Sequence, residues 1–397
     1  MIPAKFLLIV LTALVANVAA FPLQHGHVRR SHPARLPARN VRRSTCRKFI
    51  TVTNTPTATS VPAITSSSST AVVTSSSSTT PAAAPTTTKA ASSSTTKSAT
   101  STTTKSSSST STTPTEGSGS GGGSVSNLFP AGRGTSSWSM APGASNGVPL
   151  ADSSFRPEKV LRSVVHTYTK APDGKAALKA HYPKGSYTFG HDPQGGFSFY
   201  APGPSSVDLT KAKEATFGYS VFFPNGFDPV LGGKLPGFYG GDNDEVSTSC
   251  SGGRRDDRCF SVRLMWRAKG AGEFYTYLPP SQSANKKICS IPNSDCNDTY
   301  GASIGRGSFT FPNGQWTTVS ERVKLNDVGQ ANGEIELFAN GKSVINVKGL
   351  VLRTSAAGRI RGLQMQTFFG GSKPQFASTK DTDAYFSDFS VAVTQTL

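Results

Sequence analysis

From Ser126 onward, apolar and polar positions alternate with a period of two in short runs, and turn residues separate the runs. The predicted strands are Leu161–Thr169, Ala176–Tyr182, Phe197–Ala201, Ala215–Phe223, Cys259–Ala268, Glu273–Leu278, Thr317–Leu325, Gly333–Ala339, Ser343–Val347, Gly362–Phe369 and Tyr385–Ala392. No segment sustains a helical period. Asn340-Gly341, between two of these runs, has the composition of a two-residue hairpin turn. This many short strands in about 270 residues fit one large all-β sandwich of the jelly-roll kind better than two small domains.

The chemistry of the chain gathers in Lys234–Leu278. In Cys259–Ala268, Val262, Leu264 and Trp266 share one face, while Ser261, Arg263 and Arg267 share the other. Tyr275 and Tyr277 are two apart and point the same way. A half-buried sheet turns its apolar row inward, which predicts an open face carrying Ser261, Arg263 and both tyrosines. Lys234, read as part of a glycine-flanked loop, reaches that face. On a neighbouring strand Gln364 and Gln366 share a face; they serve either as contacts to sugar hydroxyls or as polar residues at the edge of the core.

The front of the chain has a different composition. Residues 1–20 read as a secretory signal, with an apolar run Phe6–Val15 too short to span a bilayer and cleavage expected after Ala20. Residues 21–50 are basic and hold dibasic pairs, either a processed segment or a basic tail. Residues 51–125 are almost wholly Ser, Thr, Ala, Pro and Gly, the composition of a disordered, O-glycosylated linker that cannot bury enough apolar area to fold. The expected organisation is therefore a secreted protein, without a membrane span, whose folded domain is 126–397. Export agrees with the cysteines: Cys250 with Cys259 and Cys289 with Cys296 are expected to form disulfides, and Cys46 is left over. Asn297-Asp298-Thr299 is an N-glycosylation acceptor.

The formal charge is +18, of which the domain 126–397 carries 29 Lys+Arg against 22 Asp+Glu, net +7. That favours a polyanionic partner, or only aids solubility. Residues 232–241 are glycine-rich but lack the Gly-Lys-Ser/Thr ending and following helix of a phosphate loop, so nucleotide binding is not expected, and nothing points to nucleic acid. Only His166, His181 and His191 fall in the domain, and no metal-ligand spacing is present, so neither metal nor cofactor is expected. Glu334 and Glu336 resemble half of a glycosidase pair but alternate with Ile335 and Leu337, the pattern of a solvated strand face. Asp242–Glu245 and Asp256-Asp257 read as a surface loop or a calcium-binding site.

Lys234, Arg263, Tyr275 and Tyr277 are the residue types that β-elimination at a uronate requires. The carboxylate must be neutralised so that the C5 proton becomes acidic; a base removes that proton, and an acid protonates the leaving glycosidic oxygen. Arginine binds a carboxylate bidentately, and a Tyr or Lys whose pKa is lowered by neighbouring cations can act as base. The same residues also suit a structural or sugar-stacking role, and their types alone do not decide.

Lys-Leu-Pro-Gly-Phe-Tyr-Gly-Gly (234–241), Ser-Val-Arg-Leu-Met-Trp (261–266) and Tyr-Thr-Tyr-Leu-Pro (275–279) resemble the signature blocks of family 14 polysaccharide lyases. So do residues 305–311, Trp316, residues 324–326 and Thr-Phe-Phe-Gly-Gly-Ser (367–372). The resemblance spans roughly residues 127–395 and implies a jelly-roll lyase acting on alginate or β-1,4-glucuronan. It implies that Lys234 is the essential lysine, Ser261 and Arg263 the Ser-x-Arg pair, and Tyr275 and Tyr277 the Tyr-x-Tyr pair. The loop between Lys234 and Ser261 is longer than in the simplest members. The expected protein is a monomer acting on an acidic polysaccharide; a non-catalytic lectin-like sandwich or a cell-wall mucin are the competing expectations.

Overall fold

The computed structural model describes residues 124–397. The expected signal, basic segment and linker, with Cys46, lie outside the described residues. Fourteen strands form: β1 (Ser136–Ser139), β2 (Thr167–Lys170), β3 (Ala176–Tyr182), β4 (Phe197–Ala201), β5 (Ala212–Phe222), β6 (Gly232–Gly241), β7 (Cys259–Arg267), β8 (Ala271–Tyr277), β9 (Ala302–Thr310), β10 (Trp316–Lys324), β11 (Gly333–Ala339), β12 (Lys342–Leu350), β13 (Arg359–Phe369) and β14 (Thr382–Thr396). One sheet runs β12-β11-β10-β5-β14-β3-β2, with β1 also on β14; the other runs β4-β13-β6-β7-β8-β9. Every pairing between these strands is antiparallel, and the all-β jelly-roll sandwich expected from the alternation is what forms.

The core lies between the sheets. Val262, Leu264 and Trp266 of β7 bury fully against it, as their shared face requires. Trp266 meets Tyr182, Phe223, Phe227 and Phe369 edge-on, at centroid separations of 6.1, 5.4, 6.1 and 5.3 Å. The hairpin β11–β12 turns at Asn340-Gly341, with φ of +49° and +80°, the left-handed pair that its short loop demands.

The largest departure from expectation is β6, read as a loop but found inside the six-stranded sheet, between β13 and β7. Its glycines are set by close approach. A Cβ on Gly233 would stand 2.1 Å from the Trp266 ring, so the indole packs directly on the strand backbone. Pro236 has no N–H to give the ladder, and the register against β7 slips between Leu235 and Gly237. β1 and β9 were also unforeseen; β9 carries Gly305 and Gly307 at positive φ, which breaks its alternation. The run expected over Leu161–Thr169 pairs only from Thr167, and Val165 within it is 70% exposed.

Glu334 and Glu336 do not form a freely solvated face. Together with Glu214 they surround Arg322, at 2.6, 3.1 and 2.6 Å respectively, on the eight-stranded sheet. In the acidic loop, Asp244 pairs with Arg361 at 3.0 Å and Asp256 with Arg258 at 2.6 Å. His166 and His181 are bonded to Asp152 and Asp383, and His191 stacks on Tyr187.

Candidate active site

Antiparallel register places one row of residues across the six-stranded sheet. Tyr200 (β4) pairs with Gln364 (β13), Gln364 with Gly237 (β6), Gly237 with Arg263 (β7), Arg263 with Tyr275 (β8), and Tyr275 with Ser303 (β9). A second row runs Phe368, Lys234, Met265, Glu273. On the face turned away from the core, these rows floor a pocket of about 830 Å³. Its walls are loop segments: Thr188–Gly190, Ser251–Arg254, Asp295–Gly301 and Gly370–Phe376 contribute residues. The expected open sheet face is therefore a walled cleft, and Arg263, Tyr275 and Tyr277 are only 4%, 8% and 5% exposed.

The irregularity at Pro236 seats Arg263. The β6–β13 ladder opens between Gln364 and Phe368, which frees carbonyls on both strands. Arg263 Nε donates to the Leu235 carbonyl at 3.2 Å, and its terminal nitrogens donate to the Gln366 carbonyl at 2.9 Å and to Gln366 Oε1 at 3.4 Å. Three of the five guanidinium N–H groups are thus used, and two remain for a carboxylate. Burial pushes the Arg263 pKa down to about 10, which still leaves a cation at neutral pH.

Lys234 is half-buried, with Nζ 3.7 Å from the centre of the Tyr275 ring and 2.9 Å from Met265 Sδ. Burial, then the charges of Arg267 and Arg263, hold its ammonium well below the usual lysine range; Glu273 pulls weakly the other way. Arg267 is itself fixed by the fully buried Glu273 at 2.6 Å, which also takes Arg306 at 2.9 Å. The Tyr275 phenol is pushed above its usual pKa by burial first and by Tyr277 next, with the Gly301 N–H pulling it down. Of the two groups suited by type to act as base, burial therefore favours the neutral amine and opposes the phenolate. Each phenol oxygen accepts a backbone N–H: Tyr275 from Gly301 at 3.1 Å and Tyr277 from Gly253 at 2.9 Å.

The other expected contacts divide. Gln366 lines the pocket; Gln364 is buried beneath it, donating to Gln366 Oε1 at 2.9 Å, and so positions its neighbour instead of meeting solvent. Ser261 is also buried, and its hydroxyl donates to the Cys250 carbonyl at 2.8 Å, holding the disulfide loop and not lining the cleft. Both disulfides, Cys250–Cys259 and Cys289–Cys296, are formed. Asn297 is exposed at the pocket wall, and its Oδ1 accepts the N–H groups of Thr299 and Tyr300, both at 2.8 Å. Tyr200, Arg254 and Lys373 line the pocket without having been singled out. Tyr200 was hidden in Phe-Ser-Phe-Tyr-Ala, where only the spacing of Ser198 and Tyr200 marks the outer face. Arg254 and Lys373 stand in loops, where no period marks a face.

The chain resembles two solved lyases over most of their lengths. With the marine PL-14 alginate lyase from Aplysia kurodai it shares 36% identity and a TM-score of 0.52, over 57% of this chain and 87% of that one. With alginate lyase vAL-1 from Chlorella virus it shares 29% identity and a TM-score of 0.51, over 60% and 93%. A curated relative, Exolysin of Paramecium bursaria Chlorella virus 1, is 29% identical over 173 residues, 40% of this chain. The match spans about a quarter (26%) of that relative's length. Residues 170–389 match the model of Polysaccharide lyase 14, a span that contains Lys234, Arg263, Tyr275 and Tyr277, and the chain belongs to that family.

Proposed function

We propose that this polysaccharide lyase cleaves a uronate polymer by β-elimination in the cleft of the six-stranded sheet, and that alginate is its substrate. The observation that carries the reading is the convergence of Lys234, Arg263 and Tyr275 in one pocket. That pocket is lined by four cationic side chains, Arg254, Arg263, Arg267 and Lys373, beside Lys234, against the single carboxylate Asp295. Such a cleft suits a chain bearing one negative charge per sugar. Alginate is favoured because the two solved structures described above are alginate lyases.

Arg263 takes the uronate carboxylate with its two uncommitted N–H groups and draws charge from C5. Lys234, whose ammonium is disfavoured by burial and by Arg267, removes the C5 proton. The C5–H electron pair becomes the C4–C5 double bond, the C4–O bond breaks, and the leaving oxygen takes the Tyr275 phenol proton. The step leaves an ammonium against a phenolate, and proton return between them restores the starting state. Tyr277 flanks Tyr275 edge-on at 5.9 Å and shapes the subsite beside it. The two disulfides suit an oxidising compartment, in keeping with a secreted protein. Asn297 is the proposed N-glycosylation site.

The test is to incubate the full-length protein with alginate and, separately, with β-1,4-glucuronan, following the ultraviolet absorbance of unsaturated uronate. Release from alginate is expected. Release from glucuronan alone would change the substrate, and binding without release from either would favour the lectin-like alternative.

A further inference from the structure

A loop closed by one disulfide and a segment anchored at its start by the other meet over the tyrosine pair. The first, Cys250–Cys259, presents the Gly253 N–H to the Tyr277 oxygen. The second begins at the Cys289–Cys296 loop and runs to Gly301, whose N–H reaches the Tyr275 oxygen. Gly301 is the contact point: a Cβ there would stand 2.8 Å from Tyr275 Cε1 and 2.7 Å from Tyr277 Cε2. One side chain joins the loop to the segment. The guanidinium of Arg255 donates to the backbone carbonyls of both Asn297 and Tyr300, and lies 6.0 Å from the centre of the Tyr277 ring. Arg255 is exposed on its outer side and does not line the pocket, so substrate contact is not its use.

We propose that Arg255 is a positioning residue for the elimination: by tying the Cys250–Cys259 loop to the segment that follows Cys296 it holds the Gly301 and Gly253 N–H groups on the oxygens of Tyr275 and Tyr277. An N–H accepted by a phenol oxygen occupies one lone pair and stabilises the phenolate left after proton transfer. It thereby aims the O–H and strengthens Tyr275 as an acid, against the opposing effect of burial. This rests on the proton-donor role proposed for Tyr275. The charged and titratable groups facing Tyr275 are Lys234 from β6, Arg263 and Arg267 from β7, Glu273 and Tyr277 from its own strand, and Asp295 across β9. All of them remain in Arg255 variants.

The experiment compares pH–kcat profiles of full-length wild type, Arg255→Ala, Arg255→Lys and Tyr275→Phe on the same oligouronate. Arg255→Ala is expected to lose roughly tenfold to a hundredfold in kcat, the scale of a misplaced catalytic group, with a smaller change in KM. Its alkaline limb should move up by roughly half a unit to one unit, the size of one ordinary hydrogen bond. Arg255→Lys keeps the charge, but its stem is one bond shorter than the path to the guanidinium Nη2 that meets both carbonyls, so its ammonium falls short of them and the variant should move in the same direction. A lysine variant matching wild type in kcat and alkaline limb would overturn the proposal, since charge alone would then suffice. Lowered kcat with an unmoved limb in both variants would overturn it as well, and the lysine variant decides if the alanine one misfolds. Tyr275→Phe separates the two levels: if it keeps full turnover, the role of Tyr275 fails; if it is inactive while Arg255→Ala behaves as wild type, only the role of Arg255 fails.

Discussion

Lys234, the proposed base, shows how a pocket can change an ordinary side chain. A lysine in water titrates near pH ~10.4 and is a poor base at neutrality. Here burial, Arg267 and Arg263 all disfavour its ammonium, and the group sits 3.7 Å from the Tyr275 ring centre. The Lys234→Ala protein should fold normally and lose roughly a hundredfold or more in kcat, the scale of general acid–base catalysis; thermal melting and initial rates check the two halves of that statement. The pH profile follows from the signs. A base works when deprotonated, so activity rises through a Lys234 pKa set well below the usual lysine value. It falls where Tyr275 loses its proton, above the usual phenol value, because burial raises that pKa. In Arg267→Gln one of the charges that depress Lys234 is gone. Its acid limb should therefore shift to higher pH, and an unmoved limb would mean that another group titrates there.

At the scale of elements, β6 is the strand on which the site depends, and it was the least legible. Five of its ten residues are glycine and one is proline, a composition depleted in strands, so local propensity reads it as a loop. Packing overrides that reading: Gly233 lies under Trp266, and the break at Pro236 is filled by Arg263. Gly233→Ala should accordingly cost about 1–3 kcal/mol, as overpacking does, and lower both the melting temperature and kcat because Lys234 is the next residue. An unchanged melting temperature would show that the indole has room to move. By contrast β3 and β4 form over the residues expected, Ala176–Tyr182 and Phe197–Ala201. Arg263, Tyr275 and Tyr277 were legible because a period of two fixes which way each side chain points. The pocket walls were not, since loops carry no period; Ser261 and Gln364 were placed on the right face but lie beneath its surface.

For the whole molecule, the core and the pocket described above are built from residues within 124–397. A polypeptide of residues 126–397 should therefore fold and keep its specific activity on soluble oligosaccharide, which a melt and a rate assay on the truncated protein would check. Loss of either would place the boundary elsewhere. The domain's net charge of +7 and its cationic cleft bring substrate in through electrostatics, so added salt should raise KM more than it lowers kcat. Chemistry by elimination leaves a signature in the product that binding or hydrolysis cannot leave. The decisive measurement is mass spectrometry of the fragments released from alginate by the full-length protein, with Lys234→Ala alongside. The expected result is oligouronates with a C4–C5 double bond at the new non-reducing end, absent with Lys234→Ala. Saturated fragments that have gained a water, or unsaturated fragments formed equally well by Lys234→Ala, would contradict the proposed elimination at this site.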